Sequence, residues 1–214
     1  MRPRSAPRWG RPAFVLLWGL LILCGLGASP WQGFTALALS PDGQSFATGG
    51  REGEVLWWET STGELLYRWL QPHEGPVIGL AFNAAGSQLG VALLDGSIAT
   101  AEAASPSLRP SAGTSWPSLA QAKERWLSSG PLSFPVRVTA GGLWAEGSPE
   151  GLIRVGIEGT SAPLVSWTAH SAAVTGLALA DDGSFLLSCS YDGGLSRWDP
   201  RSGNLLGTLQ SPHP

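Results

Sequence analysis

One internal repeat constrains this chain more than any other feature. Three stretches align without a gap over 27 positions: FTALALSPDGQSFATGGREGEVLWWET from Phe34, VIGLAFNAAGSQLGVALLDGSIATAEA from Val77, and VTGLALADDGSFLLSCSYDGGLSRWDP from Val174. Each opens on an apolar strand and turns at a glycine: Gly43, Gly86 or Gly183. A second apolar strand follows, then an acid–Gly turn at Glu52-Gly53, Asp95-Gly96 or Asp192-Gly193, then a third strand. Glycine supplies the positive φ that tight hairpin turns require. A weaker copy runs from Phe134 to Glu158 and turns at Gly141-Gly142 and Glu150-Gly151. Outer strands are expected at Leu65 to Leu70, Leu164 to Trp167 and Leu205 to Leu209. The strands are largely apolar on both faces, so no unit hides its surfaces alone and the units have to stack.

The reading is therefore all-β, with repeats at about 33–71, 73–102, 132–168 and 170–210, near the ~40–45-residue period of stacked four-stranded units. Residues 103–131 are rich in Ser, Ala and Pro and read as an insertion between the second and third copies. A short helix is expected there from Ser118 to Leu127, with Ser118 and Gln121 as a capping-box pair. Surface elaboration is favoured over a binding loop for this segment.

The N-terminus has a different texture. Arg2, Arg4, Arg8 and Arg11 precede an uncharged apolar run from Ala13 to Ala28, the layout of a signal peptide or signal anchor over residues 1–30. The run is short for a full membrane span, and both cleavage and retention stay open. A lipoprotein signal is disfavoured, because Leu23 stands where a small residue should precede Cys24. The positive-inside rule keeps the Arg head in the cytoplasm and sends residues 31–214 across, periplasmic if the cell is bacterial. Beyond Pro30 the chain carries nine basic and 16 acidic residues, a net of −7. An acidic body offers no electrostatic footprint for nucleic acid. Two cysteines, Cys24 and Cys189, build no disulfide framework, and Cys189 reads as a small core residue.

The last unit, with His170, Val174 and SYDGGLSRWDP ending on Trp198-Asp199, resembles a Trp-Asp (WD) repeat, and the first is similar with Trp58-Glu59. That resemblance implies a WD-repeat β-propeller of about four blades behind an N-terminal hydrophobic helix. It also implies a structural hydrogen-bond tetrad of His170, Ser190, Asp192 and Trp198. The same residue types mimic a hydrolase triad, but the fold-stabilising reading is favoured. The other copies depart from the pattern. Unit two keeps His73 and Asp95 but has Ala101 at the Trp position; unit one has Gln32-Gly33 and Glu52; unit three has Gly156. Four blades are few for such a family. A closed small ring, a ring of two chains, or an open remnant meeting another protein stay open, with association favoured because open strand edges invite it. Strand Leu205 to Leu209 is placed to pair with unit one and seal a ring.

Catalytic signatures are missing from the sequence: no Walker loop, no Gly-x-Ser-x-Gly elbow, and only His73, His170 and His213, none at metal-ligand spacing. No enzyme activity, cofactor or metal is expected. The leading expectation is a non-catalytic interaction or scaffold module on the extracytoplasmic side, binding a protein partner, a membrane complex or a second copy. Trp31, Trp57 and Trp69 are its candidate exposed anchors, with inter-blade packing of Trp57 and Trp69 the competing reading. The alternative is a ligand-binding or enzymatic propeller using a central channel.

Overall fold

Apolar alternation and turn glycines act together in every unit. The computed structural model describes residues 33–70, 75–102, 108–110, 119 and 136–210. Within them, four antiparallel four-stranded sheets form, each in chain order from its inner to its outer strand. Sheet I holds β1 (Phe34–Leu39), β2 (Ser45–Gly50), β3 (Glu54–Glu59) and β4 (Leu65–Leu70). Sheet II holds β5 (Val77–Phe82), β6 (Gln88–Leu93), β7 (Ile98–Glu102) and β8 (Arg109–Pro110). Sheet III holds β9 (Val136–Ala140), β10 (Leu143–Gly147), β11 (Leu152–Ile157) and β12 (Val165–Thr168). Sheet IV holds β13 (Val174–Leu179), β14 (Leu186–Ser190), β15 (Gly194–Trp198) and β16 (Leu205–Gln210).

The second hairpin turn of each sheet is closed by the same backbone bond: Gly53 N–H to Gly50, Gly96 to Leu93, Gly151 to Ser148 and Gly193 to Ser190. This bond sets a common register. Ser188 matches Thr48, Val91 and Glu146; Trp198 matches Trp58, Ala101 and Gly156; Leu186 matches Phe46, Leu89 and Trp144.

Three apolar seams order the sheets. One joins I to II through Val55, Trp57 and Trp69 against Val77, Leu89 and Val91. The next joins I to IV through Phe46 and Trp58 against Leu187, Cys189 and Leu195. The last joins III to IV through Ile153 and Val155 against Val174, Leu177 and Leu186. Inner strand β1 accordingly packs beside both β5 and β13, and β13 beside β9. The order in space is II–I–IV–III, and no comparable packing joins II to III among the described residues.

The first and last sheets in sequence are thus neighbours, and the described sheets form an arc rather than a closed ring. Its break lies beside the insertion, not at the chain ends. Burial of both faces, expected for every sheet, is met by I and IV, while II and III have such a seam on one side only. Strand β16 pairs with β15 of its own sheet, which corrects the expectation that it would seal against unit one. Stacking of sheet faces, not exchange of a strand, brings IV to I.

Two further features fix the seams. Thr35 Oγ1 donates to the Val77 carbonyl at 2.7 Å, and Thr175 Oγ1 to the Phe34 carbonyl at 2.6 Å, each reaching from one inner strand to the next. Gly49 and Gly147 let the neighbouring strand approach: a Cβ on either would meet Val77 or Val174 side-chain carbons at 2.5–2.6 Å. The N-terminal segment 1–30, and with it the expected hydrophobic helix, lies outside the described residues, as do Trp31, His73 and the 118–127 helix apart from Leu119. Among the described residues no helix is long and apolar enough to cross a membrane.

Buried polar network and candidate binding surface

Sheet IV contains a chain of polar groups running inward from its edge. Asp192 sits in the β14–β15 turn, where its carboxylate accepts the Gly194 N–H at 2.8 Å and the Ser171 N–H at 2.9 Å. His170 Nδ1 lies 3.3 Å from both carboxylate oxygens of Asp192. On its other side His170 Nε2 is 2.7 Å from Ser188 Oγ, and the Trp198 indole N–H donates to that same oxygen at 2.8 Å. A neutral imidazole protonated on Nδ1 satisfies every member: it donates to Asp192 and accepts from Ser188. Burial pulls the His170 pKa below 6.5 against the opposing pull of Asp192, so the ring is held neutral. For Asp192, burial pushes upward, but the N–H groups of Gly194 and Ser171, together with His170 and Ser190, bring its pKa below the usual value.

The serine of this chain is Ser188, a correction to the expected Ser190. Trp198 lies opposite Leu186, so Ser188 is the next residue along on the same face, whereas Ser190 is a further two residues, roughly 7 Å, away. Ser190 Oγ instead accepts the Asp192 N–H at 3.1 Å. The signal for Ser188 was present in the sequence: Thr48 occupies the matching position, and Trp58 donates to its hydroxyl at 3.0 Å. Ser188 is fully buried and His170 nearly so, which leaves this network no accessible nucleophile. No metal-holding group of three or more His, Cys, Asp or Glu occurs among the described residues. Cys189 is free and buried, its thiol pushed up to about 12 by burial.

Trp57 and Trp69 are 4% and 3% exposed, which overturns their reading as exposed anchors. Both pack in the I–II seam, where Trp57 meets Phe82 edge-on at 4.8 Å. Trp57 lines, with Tyr67 and Phe185, a cavity of about 620 Å³ on sheets I and IV; a second described cavity, on sheet III, has the single aromatic Trp144 in its wall. At the positions where sheet IV buries Leu177 and Leu179, sheet III carries exposed Arg137 and Thr139; Trp144 and Glu146 replace Leu186 and Ser188. The Arg137 guanidinium lies 5.0 Å from the Trp144 ring centroid and 3.8 Å from Glu146. With Arg154 and the turn 159–163 these residues line a cavity of about 440 Å³. Ile157 and Leu164, 52% and 53% exposed, flank that turn. Sequence reasoning missed this surface because it sought exposed tryptophans, while the departures from the repeat at Arg137 and Glu146 were the available signal.

Trp144 also accounts for the weakness of unit three. A Cβ on Gly156 would collide with Cε2, Cζ2 and Nε1 of the Trp144 indole. The ring therefore stands over Gly156, the position where Trp58 and Trp198 sit in sheets I and IV. The indole is supplied by the adjacent strand.

Residues 29–59 and 161–199 match the family model described as "WD domain, G-beta repeat". The chain is 44% identical over 52 residues to Periodic tryptophan protein 2 homolog of Dictyostelium discoideum, covering 24% of this chain and 6% of that protein. It is 40% identical over 57 residues to Periodic tryptophan protein 2 homolog of Schizosaccharomyces pombe, covering 26% and 7%. The chain thus spans less than a tenth of these relatives. Among solved structures, the β-propeller domain of Cps50 (Swd1) from Myceliophteria thermophila is similar over 84% of this chain and 59% of that one, at 18% identity and a TM-score of 0.34.

Proposed function

We propose that this chain is a WD-repeat protein whose four blades form an open arc and serve as a non-catalytic docking surface for a protein partner. The observation that carries this reading is the outward face of sheet III. It presents Arg137, Thr139 and Arg154 where the other sheets place inter-sheet packing, with exposed Leu164 at its outer edge. The body is acidic overall, so two arginines beside exposed Leu164 favour a partner segment that combines a carboxylate with an apolar side chain. His170, Asp192, Ser188 and Trp198 are assigned to holding sheet IV together, not to chemistry.

The experiment is site-specific photo-cross-linking in the full chain. A photoreactive residue at Leu164 is expected to capture a protein partner, one at Leu66 on the outer strand of sheet I is not, and Arg137→Glu with Arg154→Glu abolishes the Leu164 adduct. Equal capture from both sites, or capture indifferent to the charge reversals, rejects the assignment. We further propose that the body is membrane-anchored or secreted, on the extracytoplasmic side, resting on Arg2, Arg4, Arg8 and Arg11 before the apolar run. A membrane-impermeant protease added to cells stripped of any outer membrane, with the plasma membrane intact, then digests the body that stays cell-associated; protection of that body refutes this placement.

A further inference from the structure

Sheet II ends the arc, and its free face is not bare. The side of β5, β6 and β7 turned away from sheet I carries Ile78, Ala81, Ala92 and Ile98, and Leu119 of the insertion is packed against them. Leu119 is 1% exposed, and Ala92 beneath it 2%. The matching position to Ala92 is Gly49 in sheet I and Cys189 in sheet IV. There, the neighbouring sheet's inner strand fills the space: Val77 lies against Gly49 and Leu37 against the β13–β14 pair beside Cys189.

The seam hydrogen bond changes at the same place. Thr35 and Thr175 reach forward to a carbonyl of the next sheet. The matching residue in sheet II is Ile78, which has no hydroxyl to donate and packs against Leu119 instead.

We infer that Leu119 is a cap built into the chain, occupying the free face of sheet II where a further blade or a second copy would otherwise stack. Two independent observations favour the chain's own segment over a second copy. Leu119 is already seated on the face, and the seam threonine that a stacking sheet would use is replaced by isoleucine. The cap removes an apolar surface that would otherwise drive open-ended association. Through Leu119 the insertion contributes a structural stopper at this face.

Thiol chemistry tests this in the full chain carrying Cys24→Ser. Ala92→Cys is tolerated by precedent, since Cys189 holds the matching position in sheet IV. In the pair Ala92→Cys and Leu119→Cys, a short thiol cross-linker is expected to join the two within one chain. In Ala92→Cys alone, a polar maleimide is expected to react as slowly as with buried Cys189. Links between chains through Ala92→Cys identify a second copy as the occupant and overturn the proposal, and fast labelling of Ala92→Cys shows an uncovered face and does the same. Adding Leu119→Ala is expected to raise labelling at position 92 by about tenfold or more, while protection of Cys189 reports that the sheets remain stacked. Unchanged labelling at position 92 also overturns it.

Discussion

Ser188 stands where two side chains converge, so its hydroxyl cannot be removed without leaving polar atoms stranded. Ser188→Ala strips the Trp198 N–H of its acceptor and His170 Nε2 of its donor, at a cost of about 1–3 kcal/mol for each buried group left unsatisfied. Ser190→Ala removes the bond to the Asp192 N–H and the hydroxyl's help in lowering the Asp192 pKa, and costs within about 1 kcal/mol. Urea midpoints of the two variants should fall in that order, and the reverse order would return Ser190 to the network. The same residues set an acid sensitivity. The folded His170 resists a proton that the unfolded chain accepts, because burial lowers its pKa below 6.5. Stability is therefore complete above that value and declines as pH falls below it toward the lowered folded pKa. Asp192, also lowered when folded, adds a second loss as pH falls below 3.8 and through its folded value. Denaturant midpoints measured from about pH 8 to about pH 4 should drop with acidification; a flat profile would contradict the assignment of a neutral ring.

Within sheet III the indole and the glycine form one unit. Gly156→Ala pushes a methyl into the Trp144 ring and is expected to cost about 1–3 kcal/mol by overpacking. In Trp144→Leu the space above Gly156 is emptied, and the combined Trp144→Leu, Gly156→Trp exchange puts the indole at the position it holds in sheets I and IV. Thermal unfolding of the double variant should be closer to the parent than the sum of the two single changes; simple additivity would sink the idea of a swap. The seam threonines behave differently. Thr35→Val and Thr175→Val each lose one hydrogen bond between inner strands, about 1 kcal/mol apiece. Because they lie in separate seams, their effects should add. The four strand patterns and turn glycines were legible in the chain, since a period of two and a required positive φ are local properties. The indole over Gly156 was not, because position-by-position comparison sees only that the expected tryptophan is gone.

At the scale of the whole molecule, the arc II–I–IV–III has unlike ends. The free face of sheet III is charged and that of sheet II is covered by Leu119. Association was favoured on the ground that open edges invite it; among the described residues, neither end of the arc presents a bare apolar face. Light scattering of the detergent-solubilised full chain, corrected for bound detergent, is expected to return one chain per particle in the absence of a partner. A stable two-chain particle would show that these ends are not self-sufficient.

The residue pattern alone established that four similar β-units exist, where their hairpins turn, and that they must stack. Those facts follow from side-chain alternation and from glycine's backbone freedom, which act over a few residues. The expectation of two apolar faces on every unit fails at sheet III, whose free face carries Arg137, Thr139 and Glu146. Which unit stacks on which, that the first meets the last, that the break falls beside the insertion, and that Ser188 rather than Ser190 joins His170 to Trp198 were decided only in three dimensions. Sheet faces of similar composition are nearly interchangeable in one dimension, and only the fit of particular side chains across each seam selects among them.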